Sequence, residues 1–175
     1  MPDFFEKIKE IGNRGCFILG KEVRSFENNF AEFCGTKYCV GTGSGLDALV
    51  LSWKALELPS YSEIIVPANT YIATVLAIVH AGLKPILVDA ELETYNINLD
   101  LIEEKINPNT RAILAVHLYG TPCKMDQLIA VCEKNKLYLI EDCAQAHGAM
   151  YKNKRVGSFG YVVPSAFIQP RSWVL

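Results

Sequence analysis

The chain has 175 residues, of which 50% are apolar and 21% charged, with a net charge of −2. That is enough for a domain with a sizeable core, and it excludes a disordered chain. The near-balanced charge gives no electrostatic footprint for nucleic acid, and three basic residues within Lys152 to Arg155 read as a solvated turn.

The N-terminus is charged early, at Asp3, Glu6 and Lys7, and has no apolar h-region, so no export signal is expected. Asn69, His80 and Lys84 break the longest apolar runs, so no membrane span is expected. Cys16, Cys34, Cys39, Cys123, Cys132 and Cys143 form no Cys-x-x-Cys pair. They read as reduced thiols of a cytoplasmic protein, not as a zinc site.

Apolar residues at 4, 5, 8 and 11 predict a first helix. Lys21 to Cys34 predicts a second, with Val23, Phe26, Phe30 and Phe33 on one stripe, ended by Gly35. Tyr38 to Thr42 is expected as a short strand, and Gly43 turns into a helix running to about Leu56. Strands are then expected at Glu63 to Pro67, Pro85 to Asp89, Arg111 to His117 and Leu137 to Ile140. Helices are expected at Ile72 to Ala81, Asp100 to Ile106 and Asp126 to Lys136.

Strands that read as continuous apolar runs and alternate with helices predict an α/β fold. It is a three-layer sandwich, a mostly parallel sheet with helices on both faces. The loops after its strands gather at one edge of the sheet, where ligands bind. Gly41 to Gly45, Pro67 to Tyr71, Asp89, His117 to Gly120 and Asp142 to Gln145 are therefore candidates for one site.

Gly43, Ser44 and Gly45 make a glycine-rich entry to a helix, which suits a phosphate; a plain tight turn is the alternative. No Gly-Lys-Ser/Thr follows, so it is not a P-loop. Leu46 stands where a dinucleotide fingerprint needs its third glycine, which argues against an NAD-binding domain. Tyr71 could stack on a flat ring or be a core tyrosine. His117 and His147 read as structural histidines. Asp142 could cap the next segment, or could hold a proton on a ring nitrogen. A phosphate cradle, a stacking aromatic and an acid for a pyridine nitrogen are three of the four parts that pyridoxal 5'-phosphate needs; the fourth is a lysine.

Phe26 to Ala48, Pro67 to Thr74, Val116 to Pro122, Glu141 to Ala149 and Gly157 to Gly160 together resemble one family, the DegT/DnrJ/EryC1/StrS sugar aminotransferases, of the aspartate-aminotransferase fold type. The resemblance implies that Gly43, Ser44 and Gly45 help hold the phosphate of pyridoxal 5'-phosphate and that Tyr71 stacks on its ring. It implies that Asp142 pairs with the ring nitrogen and that Gln145 lies near the phenolic oxygen. It further implies amino transfer from glutamate to a nucleotide-linked keto sugar, in deoxyamino-sugar or surface-polysaccharide biosynthesis. Such enzymes are usually homodimers, and Gly12 to Gly20 resembles the family's segment near the substrate.

The chain departs from that pattern after Gly160. The family continues with Phe-Ser-Phe-x-Pro-x-Lys, whose lysine carries the cofactor as a Schiff base, whereas no lysine follows Lys154 here. No catalytic residue is therefore assigned. From Pro164 onward, the third base of each codon joined to the first two of the next permits Phe-Ser-Phe-Tyr-Pro-Ala-Lys-Lys-Leu-Gly-Ala. The expectation is a frameshift near residue 160. Residues 1–160 would then be a partial cofactor-binding large domain, 161–175 an out-of-frame tail, and the C-terminal domain absent, leaving an inactive fragment. Two alternatives remain: a sugar 3-dehydratase of the same family, with histidine for lysine, and a non-catalytic cofactor-binding or dimerisation fragment.

Overall fold

The computed structural model describes residues 2–160; the expected out-of-frame tail, 161–175, lies outside the described residues. The chain divides into two units, at Gly41/Thr42.

The first unit holds α1 (Pro2–Arg14) and α2 (Lys21–Cys34). Helix α2 ends because Gly35 adopts a left-handed φ of 74°, which a glycine takes without a Cβ penalty, and the N–H groups of Gly35 and Thr36 close on the last turn. Phe26, Phe30 and Phe33 stack along the helix at 5.6 and 6.0 Å between ring centres. The strand expected at Tyr38 to Thr42 is not formed. A strand needs a ladder partner, and the Gly41 N–H instead donates to Glu27 Oε1 at 2.7 Å.

The second unit begins with α3 (Gly45–Ala55), β1 (Glu63–Pro67), α4 (Ile72–His80) and β2 (Lys84–Val88). It continues with β3 (Thr110–Val116), α5 (Met125–Asn135) and β4 (Tyr138–Asp142), and ends in a hairpin, β5 (Met150–Tyr151) and β6 (Lys154–Arg155). Lys152 and Asn153 turn that hairpin with positive φ at both positions, the twist that suits a two-residue loop. The helix expected at Asp100 to Ile106 is two 3₁₀ turns, Leu99–Leu101 and Glu103–Lys105. Pro108 stops the segment after two turns, too short to repay α-helix nucleation.

The four long strands form one parallel sheet in the order β2-β1-β3-β4. Side chains alternate between its faces. Ile64, Val66, Ala112, Leu114, Val116 and Ile140 pack on one face with Leu49 and Trp53 of α3 and Ala77 and Ile78 of α4. Ile65, Ile113, Ala115 and Leu139 pack on the other with Met125, Leu128 and Cys132 of α5. The chain steps from β1 outward to β2, then returns past β1 to β3 and β4. The carboxyl ends of β1 and β3 therefore flank a topological switch point, the place where open α/β sheets bind ligands.

Candidate functional site

Helix α3 leads into the amino end of β1, and α4 leaves its carboxyl end. Both helices pack on the same face, so both N-termini open at the carboxyl edge. At α3, Ser44 is the N-cap, with extended backbone. Its hydroxyl oxygen accepts the Asp47 N–H at 3.1 Å and its hydroxyl donates to Asp47 Oδ2 at 2.7 Å. The N–H groups of Gly45 and Leu46 precede the first intrahelical bond, from Ala48 N–H to the Ser44 carbonyl. Ser44 and Gly43 are exposed, so the helix N-terminus faces solvent.

Tyr71 is the N-cap residue of α4 and is 64% exposed, so it is not a core tyrosine. One turn on, buried Thr74 donates its hydroxyl to Asp142 Oδ2 at 3.1 Å, and the Thr70 hydroxyl donates to Thr74 at 3.1 Å. Asp142 Oδ1 accepts the Ala144 N–H at 3.1 Å. Burial pushes the Asp142 carboxyl above its ordinary value, and the Ala144 N–H, the Thr74 hydroxyl and His117 only partly offset it. Asp142 is thus a buried carboxylate at the carboxyl edge, aimed to the α3/α4 face, which would gain from a cation.

Gln145 is exposed in the loop after β4, and its Oε1 accepts the Tyr119 N–H at 2.9 Å, leaving the amide nitrogen as donor. Asp89 is also exposed, but it ends the outermost strand, two places from β3. The structure therefore gathers Gly43, Ser44, Gly45, Tyr71, Asp142 and Gln145 at one edge of the sheet and leaves Asp89 at its margin.

Three polar features carry more than sequence reasoning assigned them. Thr74 orients Asp142; its place three residues after Tyr71, on the inner side of the first turn of α4, was the available signal. Asn96 is buried and ties the loop after β3 by accepting the Leu118 N–H at 3.1 Å and donating to the Thr121 carbonyl at 2.9 Å. Glu141, fully buried, bonds to the histidine read as structural, His117, at 3.2 Å and to three backbone N–H groups. His117, Glu141 and Cys143 lie close enough to hold a metal, but the carboxylate oxygens and both ring nitrogens of the first two already have protein partners. Burial raises the thiols of Cys123 and Cys132 to about 12, so both stay protonated.

The DegT/DnrJ/EryC1/StrS aminotransferase family model matches residues 2–169. The chain belongs to this family. Among its members, a dTDP-3-amino-3,6-dideoxy-alpha-D-galactopyranose transaminase of Aneurinibacillus thermoaerophilus is 50% identical over 159 residues, 89% of this chain and 44% of that protein. The solved aminotransferase of Psychrobacter cryohalolentis superposes with a TM-score of 0.86 at 38% identity, over 90% of this chain and 40% of that one. The GDP-4-keto-6-deoxy-D-mannose-3-dehydratase of E. coli, solved with bound hydrated PLP, superposes at 0.84 with 32% identity, over 89% of this chain and 42% of that one. The chain thus spans less than half the length of these relatives. Their shared fold is the parallel sheet with helices on both faces described above. Among the described residues, no helix is long and apolar enough to cross a membrane.

Proposed function

We propose that the carboxyl edge of this sheet holds pyridoxal 5'-phosphate, and that the chain comes from an aminotransferase acting on a keto sugar linked to a nucleotide, with glutamate as amino donor. The observation that carries this reading is Asp142: a buried carboxylate with its charge under-compensated, on the same face as an exposed helix N-terminus and an exposed tyrosine. The residues present fit the cofactor. Ser44 and the free N–H groups of Gly45 and Leu46 would bind its phosphate, with Gly43 keeping the approach open. Tyr71 would lie against its ring. Asp142 would keep a proton on the ring nitrogen, with Thr74 fixing the carboxylate. Gln145 would donate to the phenolic oxygen, its orientation set by Tyr119. When bound, the cofactor supplies an electron sink for amino transfer.

A transaminase is favoured over a sugar 3-dehydratase because identity reaches 50% to a dTDP-sugar transaminase and 32% to the dehydratase. As in the family, the functional form is proposed to be a homodimer.

Residues 161–175 contain no lysine. We propose that they are read out of frame, so that the Schiff-base lysine expected after Gly160 is lost from this stretch. The nucleotide sequence around codon 160 tests the frame: an open alternative frame continuing through Phe-Ser-Phe-Tyr-Pro-Ala-Lys supports it, and a stop within a few codons contradicts it.

A further inference from the structure

Glu141 and Asp142 are adjacent on a strand and so point to opposite faces of the sheet. Asp142 faces α4; Glu141 faces the loop that closes the chain's described part. Glu141 is fully buried. Its Oε1 accepts the N–H groups of Phe159 at 2.7 Å and Gly160 at 2.5 Å. Its Oε2 accepts the Gly157 N–H at 2.8 Å and faces His117 Nε2 at 3.2 Å. The Cys123 N–H donates to His117 Nδ1 at 3.0 Å, so the ring hydrogen sits on Nε2 and is donated to Glu141. Burial alone would raise the Glu141 carboxyl; the donors from His117, Gly157 and Gly160 outweigh it and hold the group below its ordinary value.

The turn that these bonds hold is packed hard against β4. A Cβ on Gly160 would lie 2.8 Å from the Leu139 carbonyl oxygen and 3.3 Å from Glu141 Oε1, so no side chain fits there. One carboxylate thus ties three things together: the turn from Gly157 to Gly160, strand β4, and the loop after β3 through His117.

We infer that Glu141 is a positioning residue: it clamps the Gly157–Gly160 turn and the His117 loop to one side of β4 and so fixes the strand end that aims Asp142 at the other. Its oxygens are fully engaged, so it takes no part in chemistry itself. The clamp stands on hydrogen bonding alone, while its effect on ligand binding rests on the reading of the carboxyl edge as a cofactor site.

Amide hydrogen exchange on the 175-residue chain and on Glu141→Gln separates the two. The glutamine amide keeps one acceptor oxygen and turns its nitrogen toward groups that are themselves donors. The expected result is exchange about tenfold faster at Gly157, Phe159 and Gly160, with Ile113 and Leu114 in β3 unchanged. Should Glu141→Gln not fold, Glu141→Asp carries the test: it keeps the charge but withdraws the carboxylate from the turn by one methylene, and the same three amides are expected to accelerate. Unchanged protection at those amides, or acceleration shared equally by Ile113 and Leu114, overturns the inference. Titration with pyridoxal 5'-phosphate is the second readout, expected to weaken about threefold in Glu141→Gln although Asp142 is untouched; equal affinity overturns the link to Asp142. If the unsubstituted chain binds no pyridoxal 5'-phosphate, the cofactor reading falls while the exchange result still decides the clamp.

Discussion

Asp142 weakens the fold that carries it. Its carboxyl is raised by burial, so the folded state binds protons more readily than the unfolded one. Stability therefore falls as pH climbs from the ordinary carboxylate value through the raised one, and stays reduced above it. Asp142→Asn can keep acceptance from Ala144 and pair with Thr74 without a buried charge. It is expected to raise the melting temperature at neutral pH by about 2–4 °C, the shift for about 1 kcal/mol in a chain of this size. That gain should vanish below about pH 3.9, which scanning calorimetry across pH can check. Glu141 has the opposite sign: its carboxyl is lowered, so its contribution is present above the ordinary value and lost as pH falls through the lowered one. At α3, Ser44→Ala removes the cap on the Asp47 N–H and is expected to lose about 1 kcal/mol by urea unfolding, together with affinity for a phosphate ligand.

At the scale of elements, the two helices on the site face do separate jobs. Helix α3 supplies the exposed N-terminus and anchors it through Trp53, which is 1% exposed beneath the sheet. Trp53→Ala is expected to destabilise the second unit by about 3–5 kcal/mol, measured by urea unfolding followed in the far ultraviolet. Helix α4 supplies Tyr71 outward and Thr74 inward from one turn. The four strands of the parallel sheet were legible because buried strands read as unbroken apolar runs, as at Ile64 to Val66 and Ala112 to Val116. Tyr38 to Thr42 has the same look, but whether a segment becomes a strand depends on a partner that its own residues do not specify. The site's skeleton was legible as glycines, an aromatic and acids at strand ends. The pairing of Thr74 with Asp142, 68 positions apart, and of Glu141 with Gly157 to Gly160 was not. Those bonds arise from register between distant segments, which spacing along the chain does not encode.

For the whole molecule, the N-terminal unit leaves large apolar side chains in solvent, among them Phe4, Phe5, Phe17, Ile18 and Leu19. Surfaces of that kind mark association. Sedimentation velocity is expected to show a species heavier than the 19.5 kDa chain, with Phe17→Ser shifting it toward monomer; a monomer at all concentrations would argue against a homodimer. The second unit carries every residue assigned to the cofactor. The most direct test is equilibrium binding of pyridoxal 5'-phosphate to the 175-residue chain near neutral pH, beside Asp142→Asn. The account predicts one cofactor per chain, removable by dialysis, with affinity lower by about tenfold in Asp142→Asn. No stoichiometric binding, or equal affinity in both proteins, would contradict it.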